Sequence, residues 1–332
     1  MTAVGGMPSR RRAICGALAA LACRPLAGAA QARVPTVALV AAARPEGIAA
    51  RAAAFRDGLK ELGYVDGRTI RIEFRYANEH LDRIPELVDD LVRRNVDVIV
   101  SAGPSVTSAA RRATPTIPIV MAFDTDPVGS GAVASLARPG GNVTGLSIVA
   151  IDLLGKQLEL LREFVPKLSR VAVVGNAREP GNRQALQAAG EAAVRLGMAI
   201  DVFDLARRAD IDPVFARARA IGDEAMLVLS NPIALFDRIE IAAAAVRQRM
   251  PAIYPYPEIV EAGGLVTYGV NLNDMFRRSA AFVDRLLRGA RPADMPVEQP
   301  TKFDLVIHAG AARRIGLSVP PALAARADRV ID

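Results

Sequence analysis

Two carboxylates stand two residues apart in Asp124-Thr125-Asp126-Pro127, directly after the apolar run 117–123. A close carboxylate pair suits general acid/base work or a hard cation. The same four residues also spell a turn, because Asp before Pro favours turn initiation and Asp caps a following helix. Catalysis would need a nucleophile, a metal-ligand set or a third polar group beside the pair. The two histidines, His80 and His308, have no His/Asp/Glu cluster at metal spacing around them. No G-x-S-x-G elbow, P-loop or G-x-G-x-x-G falls where a strand would meet a helix. Asp124 and Asp126 are therefore read as turn formers or ligand contacts, and no catalytic residue, metal or cofactor is expected.

A second group of residues suits binding rather than turnover. Gly103-Pro104 follows the apolar run 96–101 and precedes Ser105, Thr107 and Ser108. Hydroxyls and unbonded amides at a helix start hold a carboxylate or phosphate, although simple capping explains any one of them equally well. Asn176 and Asn231 end two later apolar runs and offer amide contacts, with Asn231 also able to shape its turn with Pro232. Tyr254 and Tyr256 flank Pro255 and either stack on a planar ligand or pack a core. Glu179 suits a ligand ammonium. Asn142, in the turn Gly140-Gly141-Asn142, and Arg44, in the loop 43–46, complete the candidates.

The elements that would carry these residues alternate between short β-rich runs and longer amphipathic stretches, the pattern of βαβ units. Strands are expected over 34–42, 70–76, 96–101 and 117–123, with helices over 47–62 and 81–94 and one after each of the last two strands. The turn at 139–142 ends the helix before it and leads into a crossing strand at 143–148. The rhythm restarts with a helix at 152–164 and continues through a helix at 233–249, strands at 252–254 and 265–268, a helix at 275–287 and a final strand at 304–308. Right-handed crossovers put the strand ends of each lobe on one edge. The loops 43–46, 101–108, 123–128, 175–182, 230–233 and 254–257 then converge on one cleft, where open α/β sheets bind small ligands. No sequence repeat accompanies the repeated pattern.

Composition narrows the function classes. Arg10-Arg11-Arg12, the apolar run 14–22 and Ala30-Gln31-Ala32 form a secretory leader over 1–32, of the Sec type in preference to a twin-arginine or lipoprotein signal. Both cysteines, Cys15 and Cys23, lie in that leader, so the mature chain would hold none, which suits an oxidising compartment. Four leader arginines also leave, lowering the formal charge from +7 to +3. With no Trp in the chain and so modest a charge, nucleic acid is not an expected partner. No apolar run after the leader is long enough to span a bilayer.

Several stretches resemble one family of exported ABC-importer substrate-binding proteins, often labelled tryptophan/tyrosine transport system substrate-binding proteins. They are Phe55-Arg56-Asp57-Gly58-Leu59, Glu61-Leu62-Gly63-Tyr64, Asp126-Pro127-Val128-Gly129, Arg138-Pro139-Gly140-Gly141-Asn142-Val143-Thr144-Gly145, Glu261-Ala262-Gly263-Gly264-Leu265 and Pro296-Val297-Glu298-Gln299-Pro300. The likeness covers 34–332. It implies the type I periplasmic-binding-protein fold: two Rossmann-like lobes with parallel sheets and three hinge crossings. Lobe one would hold 33–147 and 272–300, and lobe two 148–271 and 301–332. It also implies a periplasmic monomer that traps a small amino-acid-like or carboxylate solute and hands it to a membrane permease. The same fold also serves sensors that present their closed form to a receptor. Where many relatives place Thr-Pro at the lobe-one turn, this chain has Gly103-Pro104, which leaves backbone amides and Ser105 as donors.

Overall fold

The computed structural model describes residues 1–3, 5, 33–148, 150–176, 179, 181–300 and 303–332, with only the backbone of 150–152. The expected leader, with Cys15 and Cys23, lies outside the described residues apart from four positions at its start.

The first half of the chain builds one parallel sheet. Its elements are β1 (Thr36–Ala41), α1 (Pro45–Glu61), β2 (Arg71–Tyr76), α2 (Ile84–Arg93), β3 (Val98–Ala102), α3 (Pro104–Ala113), β4 (Ile119–Phe123) and β5 (Val143–Gly145). They pair in the order β2-β1-β3-β4-β5. Period-2 alternation sorts the side chains to two faces. Val37, Leu39, Val98, Val100 and Val120 face one apolar cluster with Phe55 and Leu59 of α1. Ala38, Val40, Ile99 and Ile119 face the other, with Val88 of α2 and Val106 of α3.

After β5 the chain repeats this plan in a second sheet. The next elements are α4 (Ala150–Phe164), β6 (Arg170–Gly175), α5 (Asn182–Arg195), β7 (Ala199–Asp204), α6 (Ile211–Ala220) and β8 (Ala225–Val228). Then come α7 (Pro232–Phe236), α8 (Arg238–Arg247), β9 (Ala252–Tyr254), α9 (Pro257–Glu261) and β10 (Val266–Gly269). The last elements are α10 (Leu272–Leu287), β11 (Asp304–His308), α11 (Ala309–Arg314), α12 (Pro321–Arg326) and β12 (Arg329–Ile331). The sheet order is β12-β11-β10-β9-β8-β6-β7, so β7-β6-β8-β9-β10 reproduces the order of the first sheet, reversing at β6/β8 as the first reverses at β1/β3. Only β11 and β12 depart from the parallel plan, because β11 runs antiparallel to β10.

Three crossings join the lobes. The first follows β5, the second runs from β10 into α10, which packs Phe276 and Val283 into the α1 cluster, and the third leads into β11. The first and third run side by side: Glu298 N–H donates to Gly145 O at 2.9 Å and Ser147 N–H to Glu298 O at 2.9 Å.

Two expected elements differ. No helix follows Asp126 among the described residues; turns and bends fill 124–142, so neither Asp126 nor the glycine turn at 140–141 bounds a helix. Asp126 instead accepts from Gly129 N–H at 2.8 Å, an aspartate turn closed on itself. The helix expected over 233–249 is two, α7 and α8, because Asp237 leaves the helical region at φ −100°, ψ 31°. Its side chain pairs with Arg208 at 3.1 Å.

Candidate functional site

Both reversal points open on the same space between the lobes, the place where doubly wound sheets leave a crevice beyond their strand ends. This cleft has two adjoining compartments, each with about 620 Å³ of atom-free space partly open to solvent. Thr125, Ser230 and Tyr256 line both.

The compartment against lobe one is bounded by Ala41–Ala43 after β1, Ala102–Val106 after β3, and Phe123 at the end of β4. Lobe two closes it with Glu179, Asn231, Leu235 and Phe236. Ser105 Oγ donates to Glu179 Oε2 across the cleft at 3.1 Å, so a lobe-two carboxylate sits at the N-terminus of α3. The positive end of the α3 dipole favours a negative group at that place. Burial nevertheless raises the Glu179 pKa, with the Ser105 hydrogen bond opposing the rise. A second strut joins the lobes at the rim: Arg51 of α1, 4% exposed, pairs with Glu258 of α9.

The compartment against the crossings is more apolar. Ile148, Leu153, Leu154, Val228, Leu229 and Val270 form most of its wall, with Gln157 and Asn182 as its amides. Gln157 Nε2 donates to Tyr268 O at 2.8 Å, and Asn182 Nδ2 donates to Ser230 O at 3.0 Å. Asn182 Oδ1 is buried with no hydrogen-bond partner. Ser230 Oγ and the Tyr256 hydroxyl share a short hydrogen bond at the boundary of the two compartments. Burial pushes the Tyr256 pKa up to about 12, so the ring stays neutral.

Of the sequence candidates, Gly103, Ser105, Glu179, Asn231 and Tyr256 meet on this cleft. Asn231 also caps α7, its side chain accepting from Ala234 N–H at 2.9 Å. Gly103 adopts φ +121°, ψ 167°, a conformation L side chains rarely reach, and an added Cβ would stand 3.2 Å from the Phe123 ring. A threonine therefore does not fit this backbone, and Phe123 fills the space it would take.

Seven candidates line neither compartment. Tyr254, the last residue of β9, is fully buried in the apolar cluster with Ile259 and Val260, its ring against Gly264. Thr107 Oγ1 lies 2.6 Å from Ser101 Oγ and 3.2 Å from Gly103 O, fixing the start of α3. Asn142 Nδ2 donates to Thr114 O at 2.9 Å and Ile117 O at 2.8 Å, tying loops together on lobe one. Arg44 is exposed and pairs with Glu79 at 3.1 Å. Asn176 is buried directly after β6. Asp124 is buried, accepts from Asp126 N–H at 3.1 Å, and has its pKa pushed up to about 6 by desolvation. Asp126 is spent on its own turn. Neither acid lines a compartment, and among the described residues no three His, Cys, Asp or Glu side chains are placed to hold a metal.

Sequence reasoning missed Arg51, Gln157, Asn182 and Ser230. Arg51 and Gln157 sit inside helices, where polar residues read as a solvated face, and Asn182 opens α5, where an amide reads as a helix start. Ser230 was visible as the end of an apolar run, in Ser230-Asn231-Pro232.

Known proteins match this architecture. Among solved structures, a conserved domain protein from Vibrio cholerae O1 biovar eltor is 26% identical, with a TM-score of 0.85 over 90% of this chain and 100% of that one. An ABC domain from Streptococcus pneumonia in complex with L-Trp superposes with a TM-score of 0.81 at 23% identity, covering 89% of this chain and all of the other. In sequence, a tyrosine-binding protein of Clostridioides difficile (strain R20291) is 25% identical over 261 residues, 76% of this chain and 73% of that protein. Among the described residues no helix is long and apolar enough to cross a membrane. The family model for ABC transporter substrate binding proteins matches residues 36–331, and the chain belongs to that family.

Proposed function

We propose that this protein is the periplasmic solute-binding component of an ABC importer, exported by its leader and working as a monomer. It captures a small amino-acid-like solute between its lobes and presents the closed form to a membrane permease. The observation that carries this reading is the two-compartment cleft lined by the strand ends of both lobes, in a chain of the substrate-binding family. The tyrosine-binding name of one relative and the L-Trp in one solved neighbour support an amino-acid-like solute. We take the lobes as 33–147 with 272–300 and 148–271 with 301–332, moving about the three crossings. A solute that touches both lobes favours the closed population by its differential affinity for that state. Protein purified without denaturation is expected to retain a solute detectable by mass spectrometry, and adding that solute back to stripped protein should raise its melting temperature. A broad panel of amino acids and small carboxylates with no binder and no melting shift would count against the reading.

A further inference from the structure

The charges lining the cleft decide what kind of solute it accepts. Among the described residues, only Arg51 and Glu179 bring formal charges to the two compartments. Arg51 is committed to Glu258 across the lobes. Among the described residues no cation pairs with Glu179, and its carboxylate takes one hydrogen bond, from Ser105, where an ionised carboxylate has about four acceptor sites. A buried charge without a counter-charge is costly, and a partner of opposite sign removes that cost. A solute carboxylate in place of a cation would do the reverse and put two like charges at the end of α3.

The adjoining compartment adds an independent constraint. Its wall is apolar, yet Asn182, 3% exposed, is among its lining residues, and the Asn182 amide oxygen, packed beside Gly175, has no hydrogen-bond partner. Asn182 Nδ2 is already bonded to Ser230 O, so the group still seeking a partner is an acceptor. A ligand that completes it brings a hydroxyl or N–H as well as an apolar body.

We propose that the solute is a primary amine on an apolar body, its ammonium held by Glu179 and its body in the crossing-side compartment with a donor toward Asn182, and that a carboxylate on the solute is dispensable. This rests on the reading of a solute bound between the lobes.

The test is titration calorimetry on the full mature chain, stripped of retained solute, with tyramine, phenethylamine, tyrosine and 3-(4-hydroxyphenyl)propionate. Tyramine and tyrosine are expected to bind, phenethylamine more weakly for want of a donor, and the propionate at least about 30-fold more weakly, the scale of a lost charge-assisted bond. Glu179→Gln, which keeps the shape, should weaken tyramine by a similar about 30-fold while its melting temperature holds. Ala185→Phe, which fills the crossing-side compartment, should abolish binding of every ligand. Propionate binding as tightly as tyramine, an unchanged tyramine affinity in Glu179→Gln, or no binding by any of the four would overturn the inference. If ligands bind but Ala185→Phe leaves them unaffected, the interlobe reading itself fails.

Discussion

The two walls of the cleft are built from different materials. Lobe one contributes mainly backbone and small residues, Ala41–Ala43, Ala102, Gly103 and Pro104, with Ser105, Thr125 and the paired Arg51 as its polar side chains. Lobe two brings Glu179, Asn182, Ser230, Asn231 and Tyr256. Both sheets reverse strand order at equivalent places, so topology alone would make the walls alike. On the proposed reading, one lobe supplies a shaped surface with a helix terminus, and the other supplies the groups that discriminate. The acids of lobe one, Asp124 and Asp126, belong to its internal scaffolding.

The largest test of that division is the strut at the rim. Arg51→Met removes one partner of a pair whose arginine is buried and leaves Glu258 without its cation, and should cost about 2–4 kcal/mol in urea unfolding. Replacing both partners, Arg51→Met with Glu258→Met, should recover most of the loss. A double variant as unstable as the single one would show that Arg51 does more than join the walls.

Asp124 comes next. Its folded pKa, about 6, stands above the ordinary carboxylate value. The stability linked to its protonation is therefore whole below the unfolded pKa and is lost as pH rises through about 6. Asp124→Asn keeps an acceptor for Asp126 N–H and removes the buried charge. It should gain on the order of 2–3 kcal/mol at pH 8, nothing at pH 4, and leave solute affinity unchanged. An affinity loss of tenfold or more would return Asp124 to the binding wall and break the comparison.

Smaller effects sharpen it. Gly103→Thr forces a threonine to φ +121° against Phe123 and should cost about 1–2 kcal/mol by chemical denaturation. A neutral outcome would mean that the backbone here can rearrange to hold a β-branched side chain. Ser105→Ala removes one hydrogen bond to Glu179 and should lower solute affinity only about three- to tenfold. A Ser105 effect exceeding that of Glu179→Gln would reverse the roles assigned to the two walls.

The alternation of short apolar runs with amphipathic stretches made the two α/β lobes legible, because sheets covered on both faces require apolar strands and striped helices. The positions where loops converge were legible too, since strand ends in parallel sheets share an edge. What the pattern hides is which way a residue at a strand end points. Tyr254 and Tyr256 are two residues apart, yet the first lies within β9 between two neighbouring strands and the second lies past its end, on the cleft. The span after Asp126 looked helical because Asp-Pro starts helices as well as turns, and the Gly129 amide settles the choice locally. Arg51 and Asn182 carry no local signal: tertiary packing against the opposite lobe or the cleft floor gives them their role.

The most direct test is a crystal structure of the protein with the solute it retains on purification. The account predicts a solute with a nitrogen within hydrogen-bond distance of the Glu179 carboxylate and its apolar body between Leu153, Leu154 and Val228. Density for a solute whose carboxylate faces the α3 N-terminus with Glu179 turned away, or a solute bound outside the interlobe cleft, would contradict it.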